Sequence, residues 1–166
     1  AIRGRTIPAI AGRLPGCGVG NPVQVTEVGG VRLSTPSTMN CETAQALLTW
    51  TERGAKPAVG RLGGGIASYR VVAHYSCRTR NSQPGARISE HGKGRAVDIA
   101  AIKLNNGIDI TVLNGWKDPT QGPILRGMWR AACGPFGTVL GPDANRFHLD
   151  HFHFDTAAYR SGSYCR

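Results

Sequence analysis

Four of the five histidines of this sequence fall in two short segments. His91 stands seven residues before Asp98, and His148, His151 and His153 lie close together further along the chain. A mononuclear catalytic zinc takes about three nitrogen or oxygen ligands and keeps one position open for water. The two segments therefore predict a zinc site built from His91, Asp98 and one histidine of a final strand over 151–156.

Alternation along an extended strand would bring two of these histidines to one face. Successive strand side chains point to opposite sides, so His151, His153 and Asp155 would share a face while Phe152 and Phe154 enter a core. Two imidazoles would then project together from a strand that buried aromatic rings hold in place.

Asp98 begins the apolar stretch 98–102, where a carboxylate without a partner would be costly to desolvate. A bound metal ion would neutralise it, and Gly92 and Gly94 allow the chain to turn between His91 and Asp98. The alternative interpretation is a set of surface histidines with Asp98 in a salt bridge. The combination of the two patterns favours zinc.

The pattern around the first histidine resembles a known motif. The first metal motif of the zinc D-Ala-D-Ala carboxypeptidases and dipeptidases, a group related to lysostaphin-type endopeptidases and the hedgehog fold, is similar to Ser89-x-His91-x2-Gly94-x-Ala96-x-Asp98. The chain also resembles the bacterial extensin-like C-terminal domain family from Cys17 onward, in segments 75–81, 89–91, 138–142, 148–153 and 164–166.

The resemblance implies a hedgehog or D-Ala-D-Ala-peptidase-like zinc fold, with His91, Asp98 and His153 as the zinc ligands. Two residues compete for the role of catalytic base. The lysostaphin-like pattern implies His151, and the carboxypeptidase pattern places an acidic residue where Asp150 stands. Strand alternation puts His151 on the metal face and therefore favours it, and a bulge in the strand would reverse the choice.

Three further residues gain roles from the resemblance. Arg78 corresponds to an arginine that related peptidases place to stabilise the charge that develops on the carbonyl oxygen, and Arg80 is the second choice and a candidate substrate contact. Ser89 resembles a substrate-contacting serine. The alternative for both arginines is a solvated charge on a loop.

The activity that the resemblance implies is zinc-dependent hydrolysis of peptidoglycan peptides, in which zinc acidifies a water and polarises the peptide carbonyl. A D,D-endopeptidase is favoured over a carboxypeptidase, because the glycine-rich loops contain no bulky cap. The alternatives are an L,D-endopeptidase acting on 3-3 cross-links, a metal-dependent nuclease and a non-catalytic wall-binding module. No separate basic stripe suited to nucleic acid occurs, and the complete ligand set disfavours a binding module.

The charge and the cysteines limit the location and partners. The formal net charge of +10 suits a polyanionic partner, and the acidic stem peptides of peptidoglycan are one. No apolar run approaches the roughly 20 residues of a membrane helix. The five cysteines, at 17, 41, 77, 133 and 165, are too far apart for a zinc ribbon and indicate disulfides, hence a periplasmic or secreted protein. We predict pairs 41–77 and 133–165, with Cys17 left over.

The elements that must position these residues predict an α+β fold, with two main helices beside a small, mostly antiparallel sheet. Residues 1–22 read as an irregular arm and residues 23–166 as one catalytic domain. The predicted elements are a hairpin over 23–33, a helix from Ser37 or Thr38 to Gly54, a strand over 66–77, a hairpin around Asn106-Gly107, a helix from Pro123 to Gly134, and strands 138–140 and 151–156.

Overall fold

A mixed sheet forms the centre of the computed structural model, which describes residues 1–158 and 161–166. Over these residues the sheet has nine strands, and the fold is α+β. The strands are β1 (Ile2–Thr6), β2 (Pro22–Val28), β3 (Val31–Asn40), β4 (Ile66–Ala73), β5 (Ala96–Leu104), β6 (Asp109–Thr111), β7 (Thr138–Leu140), β8 (Phe152–Asp155) and β9 (Tyr164–Cys165).

The strand order is β1-β2-β3-β4-β5-β8-β7-β9, and β6 pairs with β5 beside this path. The pairs β3–β4 and β7–β9 are parallel, whereas β5–β8 and the other pairs in the described part of the chain are antiparallel. The sheet is larger than the small sheet that we predicted, because β1 and β9 add strands to it.

Four α-helical segments accompany the sheet within the described residues. They are α1 (Cys41–Trp50), which continues through a π-helical turn (Thr51–Ala55) into α2 (Lys56–Val59), then α3 (Val112–Gly115) and α4 (Gln121–Ala132). The two predicted helices are therefore present as α1 and α4.

The helical segment that starts with α1 begins and ends later than we predicted, because it continues through the π-helical turn to the end of α2 at Val59. The prediction began it at Ser37 or Thr38, but β3 continues to Asn40, whose Oδ1 accepts a hydrogen bond from the Thr43 amide at 2.8 Å and so caps α1. Gly54 does not end the helix. A Cβ there would lie 2.7 Å from the Ala131 Cβ, so the glycine allows close packing against α4.

The aromatic core lies between the sheet and the helices α1 and α4. Trp50 is fully buried, and its indole N–H donates to the Met128 carbonyl at 2.8 Å. Its ring contacts Tyr69 from β4 and Phe154 from β8, with ring centroids 5.2 and 4.9 Å away. Phe152 and Phe154 are both buried, as alternation predicts, so the core holds one face of β8.

The N-terminal segment is more ordered than the irregular arm that the sequence predicted. Ile2–Thr6 forms the antiparallel partner of β2, and Ile10 pairs with Val19 across a turn. The side chains of β1 are mostly exposed and polar, so no apolar alternation identified the strand. Its hydrogen bonds to β2 supply the order that the side-chain pattern does not reveal.

The predicted strands at 66–77 and 151–156 are shorter in the structure, as β4 and β8. The hairpins over 23–33 and around Asn106-Gly107 are present as β2–β3 and β5–β6.

All five cysteines lie within the described residues, and four of them form the disulfides Cys17–Cys77 and Cys133–Cys165. The pair 133–165 confirms the prediction, but the pair 41–77 was wrong. Cys41 is an exposed free thiol at the start of α1. The Gly18 amide donates to the Gly92 carbonyl at 2.9 Å, and this contact brings Cys17 to the segment that follows β4.

Among the described residues, no helix combines the length and hydrophobicity that crossing a bilayer requires. The two disulfides fit an extracellular or periplasmic protein.

The disulfide pattern predicts one reactive thiol per folded chain. Without reductant, iodoacetamide should label Cys41, and non-reducing peptide maps should join 17 to 77 and 133 to 165. After reduction in denaturant, all five cysteines should be labelled. Labelling of Cys17 in the folded, unreduced protein would contradict this pairing.

Candidate metal centre

The three predicted ligands meet at one point of the sheet. Asp98 of β5 and His153 of β8 are direct cross-strand partners, and His91 joins them from the helical turn Glu90–Lys93. The His91 Nε2 and the His153 Nδ1 each lie 3.1 Å from the Asp98 Oδ1. The three possible ligand atoms lie within 4.8 Å of one another.

Local backbone constraints place His91 at this point. The Ser89 Oγ accepts a hydrogen bond from the His91 amide at 3.2 Å, which caps the short helical turn. The turn ends at Gly94, which has φ 67° and where a Cβ would lie 2.7 Å from the Val19 side chain. Ser89 and Gly94 therefore fix the direction in which His91 enters the site.

The second nitrogen of each histidine also has a defined partner. The His91 Nδ1 donates to the His74 carbonyl at 2.9 Å, which leaves Nε2 free of a proton for a metal. The His153 Nε2 donates to the Asp155 Oδ2 at 2.7 Å, which leaves the His153 Nδ1 as the nitrogen that faces a metal. Metal-binding histidines in proteins have this arrangement, and two imidazoles with one carboxylate fit zinc.

Electrostatics favours positive charge among these groups. Burial acts to raise the pKa of Asp98, but hydrogen bonds with His153 and His91 hold it well below its ordinary value. Burial acts to lower the pKa of His153, but hydrogen bonds to Asp155 and Asp98 raise it to about 9. The Asp98 carboxylate is therefore ionised at neutral pH, and it stabilises positive charge at His153.

The two candidate bases occupy different positions. His151 lines the cleft beside the ligands, and its Nε2 lies 3.6 Å from the Asp98 Oδ2. Its Nδ1 lies 2.8 Å from the Asp150 Oδ1, and the Asp150 side chain is 68% exposed. His151 therefore faces the ligand group, and Asp150 contacts it from the solvent side.

His148 is a further member of the site to which the sequence analysis gave no role. Burial and the nearby His151 and His153 lower the pKa of His148 to about 4, so the ring is neutral at neutral pH. Its Nδ1 donates to the Asn145 Oδ1 at 2.7 Å, which leaves Nε2 as an acceptor. The spacing His-x2-His-x-His was the available signal.

A cleft of about 300 Å³ opens onto these groups. The segment after β4 contributes Arg78, Arg80 and Asn81 to its lining, and Ser89 also lines it. Within the described residues, the Arg78 side chain has no ion-pair partner. The cleft thus brings together all the site residues that the sequence predicted except Asp150, which lies behind His151.

We predict one zinc per chain, held by His91, Asp98 and His153. Replacing any of the three by Ala should remove most of the metal from protein purified without chelator, as elemental analysis would measure. His148→Ala is the matched control, because it removes an imidazole from the same cleft and should leave the zinc content unchanged. Absence of zinc from the wild-type protein after zinc is supplied would refute the site.

We also predict that Asp155 supports zinc binding through His153. Asp155→Ala should weaken zinc affinity by roughly 10–100-fold, because His153 loses the partner that fixes its tautomer. Asp155→Asn should cost less, since its amide oxygen can still accept the Nε2 proton. Competition with a chromogenic chelator would measure both values, and Asp109→Asn, on the exposed part of β6, is the control. An unchanged zinc affinity in Asp155→Ala would contradict this role.

Comparison with known proteins identifies the family of this chain. No curated protein and no solved structure matches the chain. The family described as "Extensin-like protein C-terminus" matches residues 3–166. This match confirms the extensin-like part of the predicted resemblance, whereas the likeness to zinc peptidases stays a prediction from the sequence motif. With nearly its whole length matched, the chain belongs to the family of extensin-like protein C-terminal domains.

Proposed function

We propose that this protein is a zinc-dependent hydrolase of the peptide bonds in peptidoglycan. The observation that carries the proposal is the meeting of His91, Asp98 and His153 in a cleft that also presents His151. A group that could hold a metal and a group that could move a proton are then within reach of one substrate.

Zinc, His151 and Asp150 have separate roles in the proposed hydrolysis. When bound, zinc supplies a Lewis acid that polarises the peptide carbonyl and acidifies water. His151 takes the proton at Nε2 and passes it to the leaving amine, as a general base and then a general acid. Asp150 accepts the Nδ1 hydrogen bond of His151 and is therefore a positioning residue.

Arg78 supplies the charge stabilisation. Arg78 lines the cleft and, among the described residues, forms no ion pair with a carboxylate. It donates to the carbonyl oxygen as negative charge develops there. Arg80 and Ser89 are the substrate contacts, since both line the same cleft. The Ser89 Oγ accepts the His91 amide hydrogen, so its own hydroxyl proton is still able to donate to a substrate.

The substrate assignment rests on charge and location. Peptidoglycan stem peptides carry carboxylates, which suit a chain of net charge +10 and an arginine-lined cleft. Peptidoglycan also lies outside the cytoplasmic membrane, where disulfides persist. A D,D-endopeptidase is the form that we favour, and an L,D-endopeptidase on 3-3 cross-links or a carboxypeptidase would give different products.

Digestion of purified sacculi tests the proposal. Zinc-loaded protein should release fragments whose masses show which peptide bond has been cut. His151→Ala should retain zinc and lose roughly 10²–10⁴-fold in rate, the range typical of lost acid–base catalysis, and Asp150→Asn should lose less. His91→Ala, which lacks a ligand, is the inactive control.

Two outcomes would overturn parts of the proposal. An inactive, zinc-loaded Asp150→Asn beside an active His151→Ala would make Asp150 the base. Failure of the zinc-loaded wild-type protein to cut sacculi would refute the function, and binding to sacculi without products would indicate a wall-binding module instead.

A further inference from the structure

The last residues of the described chain are fixed on the sheet. Tyr164 and Cys165 form β9, where the Tyr164 amide donates to the Gly137 carbonyl at 2.8 Å. The Arg166 amide donates to the Val139 carbonyl at 2.8 Å, and the Arg166 carbonyl accepts from the Gly141 amide at 3.0 Å. The Cys133–Cys165 disulfide adds a covalent link to the end of α4.

This attachment presents Tyr164 to the cleft. Tyr164 lines the cleft and is 37% exposed. Leu140 of β7 and Phe147 of the turn Arg146–His148 line the cleft as well, and Phe147 is 36% exposed. None of the three belongs to the ligand group of His91, Asp98 and His153, and none has a role in the chemistry proposed above.

Strand order separates these side chains from the basic part of the lining. Arg78 follows β4, on one side of the β5–β8 pair that carries Asp98 and His153. Leu140 and Tyr164 belong to β7 and β9, on the other side of that pair. A substrate that crosses the metal ligands therefore meets the lining arginines on one flank and apolar side chains on the other. The Arg146 and Arg166 guanidinium groups lie 4.8 and 5.9 Å from the Phe147 and Tyr164 ring centroids, so an arginine lies beside each ring while both rings line the cleft for the substrate.

We propose that Tyr164, with Leu140 and Phe147, forms an apolar subsite for one side of the scissile bond. This inference rests on the proposed function and narrows its substrate class. The substrate is a peptide that carries a carboxylate toward Arg80, the arginine already proposed as a substrate contact, and a small apolar side chain, such as that of alanine, toward Tyr164. An aromatic side chain suits this role, because its ring offers a large contact surface. Only two side-chain torsions have to be fixed when the ring binds, so the entropic cost is low.

The Cys133–Cys165 disulfide also supports the apolar subsite. β9 has two residues and lies at the edge of the described sheet, so few backbone hydrogen bonds hold it. The disulfide restrains the residue next to Tyr164 and so keeps the ring at the cleft. The disulfide joins the end of α4 to β9 and does not involve β5 or β8, which carry the zinc ligands Asp98 and His153.

The test compares Tyr164→Ala and Tyr164→Phe with the wild-type protein, using a soluble cross-linked muropeptide as substrate. Loss of the ring should raise KM about tenfold and leave kcat within about twofold, since the contact stabilises the substrate and the transition state alike. Zinc affinity should not change. Tyr164→Phe retains the ring and should stay near the wild-type KM. Leu113→Ala, an exposed apolar residue on α3, is the control.

The double variant Cys133→Ser, Cys165→Ser should raise KM in the same way. Adding Tyr164→Ala to it should have little further effect, because both changes remove one contact. An unchanged KM in Tyr164→Ala, beside an active wild-type protein, would refute the subsite and leave the proposed function intact.

An inactive wild-type protein would refute the function itself. Titration of that protein with a disaccharide tripeptide, monitored by NMR chemical shifts, would then test binding at the subsite independently of catalysis. Shifts at Tyr164 that are lost on its replacement would support it, and their absence would refute it.

Discussion

The antiparallel pairing of β5 with β8 is the constraint on which the candidate site depends. Its register sets Asp98 directly opposite His153. A shift of one residue would turn His153 into the core and Phe154 toward the cleft, because side chains alternate along a strand. Phe154 packs on Trp50 with ring centroids 4.9 Å apart. Aromatic packing on one face of β8 therefore fixes the position of the ligand on the other face.

The third ligand, His91, depends on contacts that lie outside this pair of strands. Its turn packs on the N-terminal segment: a Cβ at Gly92 would lie 3.0 Å from the Cys17 Sγ, and one at Gly94 would meet Val19. The disulfide from Cys17 to Cys77 ties that segment to the residue before Arg78. One covalent link thus supports both a metal ligand and the residue proposed to stabilise charge on the substrate.

Local sequence patterns predicted the parts of the site that local geometry decides. Alternation placed Phe152 and Phe154 in the core, and spacing selected His91, Asp98 and one histidine of the last strand. The family resemblance selected His153, and the structure brings the three residues together. The strand β1 and the partner of Cys77 could not be predicted, since both depend on pairing between segments distant in sequence. His148 stood in the cluster from the start, but only its buried position beside the other rings gives it a place in the cleft.

The sign of the fixed charge changes within the cleft: arginines line it, and carboxylates lie at its buried centre. At the centre, two buried carboxylates, Asp98 and Asp155, flank His153 and raise its pKa to about 9. Leaving either carboxylate without a cation nearby would cost free energy, so a proton on His153 and a metal bound by it meet the same electrostatic requirement. Arg78 and Arg80 line the same cleft with positive charge. The arginines therefore attract an anionic substrate, whereas the buried centre favours a cation. Attraction of the substrate and binding of the cation do not compete, because they occur at different depths of one cleft.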